Sequence, residues 1–143
     1  MIGRLDELNQ LERFYNSSKF EFLTMYGRRR IGKTTILREF AGRHKALFFS
    51  AQEKNDSLNL LDFSKMVQTF FEGSFISSFQ NWEAAFEYIT GKISDKKLVL
   101  IIDEFPFLAE PNPSIKSILQ HTIDHVWKGK NIFLILCGSS VSF

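Results

Sequence analysis

Cys137 is the only cysteine in the 143-residue chain, so no disulfide can form within it. That excludes a disulfide-framed scaffold and points to a reducing, cytoplasmic setting. Long apolar runs are also missing: none approaches the roughly 18 residues that a membrane-spanning helix needs. The opening Met1-Ile2-Gly3-Arg4 leads into a charged helical pattern and lacks the apolar core of a signal peptide. Charge of one sign is in short supply too. Lys and Arg number 18 against 16 Asp and Glu, a net charge of +2, which makes no electrostatic case for nucleic acid or a membrane as partner. Tyrosine is scarce, three against sixteen Phe, and Phe is bulk without a polar tip, suited to filling a core.

What is present is ordinary for a folded domain. Hydrophobic residues make up 44% and charged residues 24%, which argues against disorder, and the length suits one domain. Leu5, Leu8, Leu11 and Phe14 or Tyr15 recur at helical spacing, so the chain should open with an amphipathic helix. Short apolar runs at residues 20–26, 46–51, 98–102 and 132–137 read as strands. Helical patterns cover 33–43, 58–71, 82–92 and 115–128, the last with Ser114 as its expected cap and Gly129 as its stop. A loop is expected at 73–78, and Pro111 and Pro113 mark another. Strands alternating with helices call for an α/β fold on a parallel sheet. Residues 1–143 read as one nucleotide-binding domain that stops after a central-looking strand, as if part of something longer.

Gly27-Arg28-Arg29-Arg30-Ile31-Gly32-Lys33-Thr34 fits the phosphate-loop pattern G-x-x-x-x-G-K-[ST] without a mismatch, between a predicted strand and a predicted helix. The glycines let successive backbone N–H groups turn inward onto phosphate oxygens, and the helix adds its positive end there. Lys33 is placed for the β- and γ-phosphates, Thr34 for Mg²⁺, and Thr35 closes the loop. The three arginines could be read as a nucleic-acid patch, but their position inside the loop favours local roles at the phosphates or at a neighbouring subunit.

The acidic partner of such a loop is Asp103-Glu104, ending the apolar run Leu98-Val-Leu-Ile-Ile102. Ligands bind at the carboxyl ends of parallel strands, so Asp103 should orient Mg²⁺ through water and Glu104 should take the proton of the attacking water. Thr34 and Asp103 are 69 residues apart, room for a strand and two helices, so their strands need not be sequential neighbours. Ser139 and Ser140 follow the last strand. They are either a serine-rich turn or hydroxyls within reach of the γ-phosphate. His121 and His125 have the i, i+4 spacing of a metal pair, but Thr122 stands where the zinc-protease pattern has Glu, so a solvated helix face is expected. Trp82 and Trp127 read as core or lid-facing packing.

Ile2-Gly3-Arg4 with Glu7-Leu8, Tyr26 to Thr34, Ile102-Asp-Glu-Phe-Pro106 and Leu136-Cys-Gly-Ser-Ser140 together resemble the archaeal-type ATPases of the AAA+/STAND superfamily of P-loop NTPases. The resemblance implies a five-stranded parallel sheet of order 5-1-4-3-2, with Ser139 or Ser140 as the sensing polar residue and Ile2 and Gly3 against adenine. It also implies a fifth strand, a helical lid and an arginine finger outside these residues, so that hydrolysis by this chain alone should be weak. The expected function is binding of ATP with Mg²⁺ and its hydrolysis, with a protein partner or self-association. The alternatives are a switch or scaffold that binds ATP and barely hydrolyses it, and a small-molecule kinase, for which no acceptor pocket is legible.

Overall fold

The structure is a computed structural model describing residues 2–26 and 32–139, with side chains from Asp6 onward. Among the described residues four parallel strands form one sheet: β1 (Glu21–Tyr26), β2 (Leu47–Ser50), β3 (Leu98–Asp103) and β4 (Ile132–Gly138), in the spatial order β1-β4-β3-β2. Asp103 therefore stands two strands away from the one that feeds the phosphate loop, with β4 between them. The order agrees with the 1-4-3-2 part of the expected sheet.

The helices are α1 (Ile2–Asn16), α2 (Lys33–His44), α3 (Asp56–Glu72), α4 (Trp82–Thr90), α5 (Pro106–Ala109) and α6 (Ser114–His125). Side-chain alternation along the strands divides the core into two layers. Val99, Ile101, Phe133 and Ile135 pack on one face with Leu8, Leu11, Ile36, Leu37 and Phe40, which come from α1 and α2. Leu100, Ile102, Leu134 and Leu136 pack on the other with Phe63, Trp82, Phe86, Leu119 and Trp127. β3 and β4 are buried on both faces, hence their unbroken apolar runs. Both tryptophans belong to the core, and each indole N–H is satisfied: Trp82 donates to Asp56 Oδ1 and Trp127 to Thr90 Oγ1.

Some local expectations need correction. Pro113 occupies the cap position of α6, so Ser114 is its first helical residue and makes no capping bond. That helix ends at His125, and a short 3₁₀ turn, Trp127–Gly129, carries the chain on, because burying Trp127 takes it off the helical path. The one-turn α5, started by Pro106, was not expected. The other long helices have clear local signals: Asn55 caps α3 through Leu58 N, and Asn81 caps α4 through Ala84 N. Among the described residues, no helix is long and apolar enough to cross a membrane.

α1 is held to α2 by more than apolar contact. His44 Nε2 lies 2.8 Å from Glu12 Oε1, and its ring stacks on Tyr15 at 3.7 Å. Arg43 adds a 3.3 Å pair to the same carboxylate. α3 and α4 are tied by Tyr88, whose hydroxyl donates to Glu72 at 2.6 Å. Partial burial, then that bond and the Glu72 charge, push the Tyr88 hydroxyl up to about 12 from an ordinary value of 10.0. A raised folded value means stability present below pH 10.0 and lost as pH climbs toward 12. Tyr88→Phe should therefore flatten the alkaline fall in stability over that interval, measured by denaturant titration at stepped pH.

Candidate functional site

The carboxyl ends of β1, β3 and β4 and the amino end of α2 converge. Gly32 turns the chain into α2 with φ 108° and ψ −22°, a left-handed backbone that side chains resist. Its carbonyl accepts the first helical bond, from Ile36 N at 2.7 Å. Among the described residues no side chain caps that end, and the helix has the positive end of its dipole where Lys33 and Thr34 stand.

Asp103 ends β3 and is 6% exposed. Its Oδ2 accepts from Thr34 Oγ1 at 3.4 Å and its Oδ1 from the backbone N–H of Glu104 at 2.9 Å. Two residues 69 apart in sequence are thus brought into contact. Glu104 has φ 55°, a conformation that costs a non-glycine residue on the order of 1–3 kcal/mol and concentrates at functional sites. It lets the chain leave the strand and enter α5 at once, with Phe107 N bonded to Glu104 O at 3.0 Å. The Glu104 carboxylate is anchored from β4: Ser139 donates to Oε1 through its N–H at 3.2 Å and its hydroxyl at 3.4 Å. Lys33 Nζ donates to the carbonyl of Gly138 at 2.6 Å. Beneath these groups Cys137 is fully buried. Burial first, then the Asp103 carboxylate, pushes its thiol well above the ordinary range, so it stays protonated.

Lys33, Thr34, Asp103 and Glu104 are therefore one cluster, and Ser139, left open by the sequence between a turn and a site hydroxyl, joins it through Glu104. Thr35 follows on the exposed side of the same helical turn. Gly27, Arg28, Arg29, Arg30, Ile31 and Ser140 lie outside the described residues. Ile2 and Gly3 fall in the first turn of α1, and their side chains also lie outside the description. His121 and His125 sit exposed on α6 with ring centroids 4.3 Å apart; among the described residues no group of three or more His, Cys, Asp or Glu could hold a metal. Sequence reasoning missed Gly138, whose carbonyl meets the lysine. The available signal was a glycine at a strand end, which often marks a close approach of other chain segments.

The donor set is oxygen only where a cation would bind, a hydroxyl and a buried carboxylate in contact. That suits Mg²⁺, which keeps much of its shell as water and phosphate oxygen and needs only one or two protein ligands. The ammonium of Lys33, on the Gly138 carbonyl, is a compact point charge of the kind that can pair with phosphate.

The chain matches, over residues 1–143, the family described as an ATPase domain predominantly from Archaea. It is 33% identical over 141 residues to the uncharacterized protein MJECL04 of Methanocaldococcus jannaschii, an alignment covering 99% of this chain and 30% of that protein. In fold it is similar to the Walker-type ATPase PABY2304 of Pyrococcus abyssi, with a TM-score of 0.66 and 17% identity over 95% of this chain and 45% of that one. It is also similar to Cdc6p from Pyrobaculum aerophilum, with a TM-score of 0.60 and 20% identity over 94% of this chain and 38% of that one. It spans less than half the length of each of these three proteins. With the phosphate-loop pattern, the parallel α/β sheet and the match along its whole length, the chain belongs to the ATPase domain family found predominantly in Archaea.

Proposed function

We propose that this domain binds ATP together with Mg²⁺ and hydrolyses it to ADP and phosphate. The observation that carries the reading is the contact of Thr34 with Asp103, which joins the phosphate-loop helix to the acidic strand. Lys33 holds the β- and γ-phosphates, and the amino end of α2 adds backbone N–H groups. Thr34 and Asp103 would hold Mg²⁺, which when bound neutralises charge on the phosphate oxygens. Glu104 takes a proton from the water that attacks the γ-phosphorus, while the bond to the β–γ bridging oxygen breaks. Ser139, bonded to the carboxylate of Glu104, orients that base, and the role proposed for Ser140 is contact with the γ-phosphate. The role proposed for Gly27 to Ile31 is phosphate binding, and that for Ile2 and Gly3 is contact with adenine. A protein partner, a second copy or the lid supplies the arginine finger that the family resemblance implies.

Equilibrium binding of a fluorescent ATP analogue, with Mg²⁺ and with EDTA, tests the reading. Mg²⁺ should tighten binding to the parent about tenfold, as one charge-assisted contact is worth. Asp103→Asn should erase the difference between the two conditions while leaving the EDTA value as it was. Identical curves with Mg²⁺ and EDTA in the parent would remove the metal role from Thr34 and Asp103.

A further inference from the structure

Gly138 is the last residue of β4, and three pieces of the site close on it. Tyr26, its register partner on β1, is the residue immediately before the phosphate loop. Pro106 comes two residues after Glu104 and opens α5. A Cβ built on Gly138 would stand 2.9 Å from Pro106 Cδ, 3.2 Å from Pro106 Cγ and 3.0 Å from Tyr26 Cε1. Side-chain carbons do not approach so closely, and a proline ring, being part of the backbone, cannot swing aside as a flexible tip would.

The backbone of Gly138 does not itself require glycine. The described glycines with positive φ are Gly32 and Gly73, and Gly138 is not among them. At Gly32, Gly42, Gly73 and Gly129 an added Cβ would meet nothing within 4 Å. Among the described glycines, Gly138 alone answers to close approach of this kind, and it is also the one whose carbonyl receives Lys33 Nζ, at 2.6 Å.

We infer that Gly138 is a positioning residue: its missing side chain lets Pro106 and Tyr26 close on the end of β4, and that fit sets the carbonyl that orients the Lys33 ammonium. One backbone unit thereby registers the strand before the phosphate loop, the segment after the acidic pair and the phosphate-binding lysine against each other. The inference rests on the nucleotide reading for what Lys33 does, and on packing alone for how it is held.

The test has a readout that needs no nucleotide. Lys33 is acetylated with limiting acetic anhydride, and its rate is read by mass spectrometry against exposed Lys65 as internal standard. Gly138→Ala should raise the relative rate at Lys33 about tenfold, the scale of one lost hydrogen bond to a charged group, and weaken binding of a fluorescent ATP analogue in parallel. Adding Pro106→Ala to that variant removes the two ring contacts and leaves the Tyr26 ring edge, which a shift of a few tenths of an ångström relieves, so both readouts should return to within about threefold of the parent. Parental reactivity in Gly138→Ala overturns the inference. So does a double variant that folds, by circular dichroism, yet keeps the high reactivity. If Gly138→Ala does not fold alone, the double variant is compared directly with the parent; a double variant that stays unfolded overturns the inference. Should the parent bind no nucleotide while Lys33 reactivity follows the expected pattern, the nucleotide reading fails and the positioning role stands.

Discussion

Glu104→Gln is expected to slow single-turnover hydrolysis of ATP by roughly 100- to 10,000-fold, the range that a general base contributes. The substitution suits the question because an amide keeps the size of the carboxylate and still offers an oxygen to the N–H and hydroxyl of Ser139. It should therefore leave the turn at Glu104, with its φ of 55°, as it is. What disappears is the capacity to take a proton from water. Nucleotide affinity should stay within about twofold, because only groups that touch the phosphates or the metal set it. Excess protein over labelled ATP, quenched at intervals, makes even slow turnover measurable. An unchanged rate in the variant would mean that Glu104 is not the base, and the domain would then be a nucleotide-dependent switch.

The second large effect is on binding. Lys33→Ala should weaken a fluorescent ATP analogue about 100-fold in equilibrium titration, since hydrogen bonds to charged groups are worth about 1.5–3 kcal/mol and the ammonium serves two phosphates. Lys33→Arg should recover little of that loss. A guanidinium is a planar fork, and it replaces a compact charge that already meets the Gly138 carbonyl at 2.6 Å. Thermal stability separates this effect from misfolding: Lys33 is half-buried at a helix start, so the alanine variant should melt within a few degrees of the parent. Undiminished affinity in Lys33→Ala would move the phosphates elsewhere.

The site was legible in the sequence to the extent that its groups announce themselves by spacing. Gly32-Lys33-Thr34 and Asp103-Glu104 each follow an apolar run, and a parallel sheet brings such ends to one side. Separation along the chain also implied that the two strands need not be sequential neighbours, and β2 does come between β1 and β3 in sequence. Other features have no sequence period to reveal them. The turn at α5 depends on Glu104 adopting positive φ, which propensity does not favour. The early end of α6 depends on where Trp127 must go to be buried between Phe86 and its neighbours. The anchoring of Glu104 by Ser139, and of Lys33 by a carbonyl, depends on the pairing of strands distant in sequence. Tertiary contact decides all of these, and a window of a dozen residues does not contain it.

The strand order also bears on how the protein is made. β1 is paired to β4 in the described sheet, so β1 waits for a strand made much later. At ordinary translation speeds, about ten seconds separate the emergence of Tyr26 from that of Gly138. Throughout that interval Phe22, Leu23 and Met25 lack their β4 partners Leu134, Ile135 and Cys137, although α1 and α2 are already complete. The cluster of Lys33, Thr34, Asp103, Glu104 and Ser139 is thus drawn from segments made well apart in time, and on the proposed reading its ATP site stays incomplete until β4 has emerged.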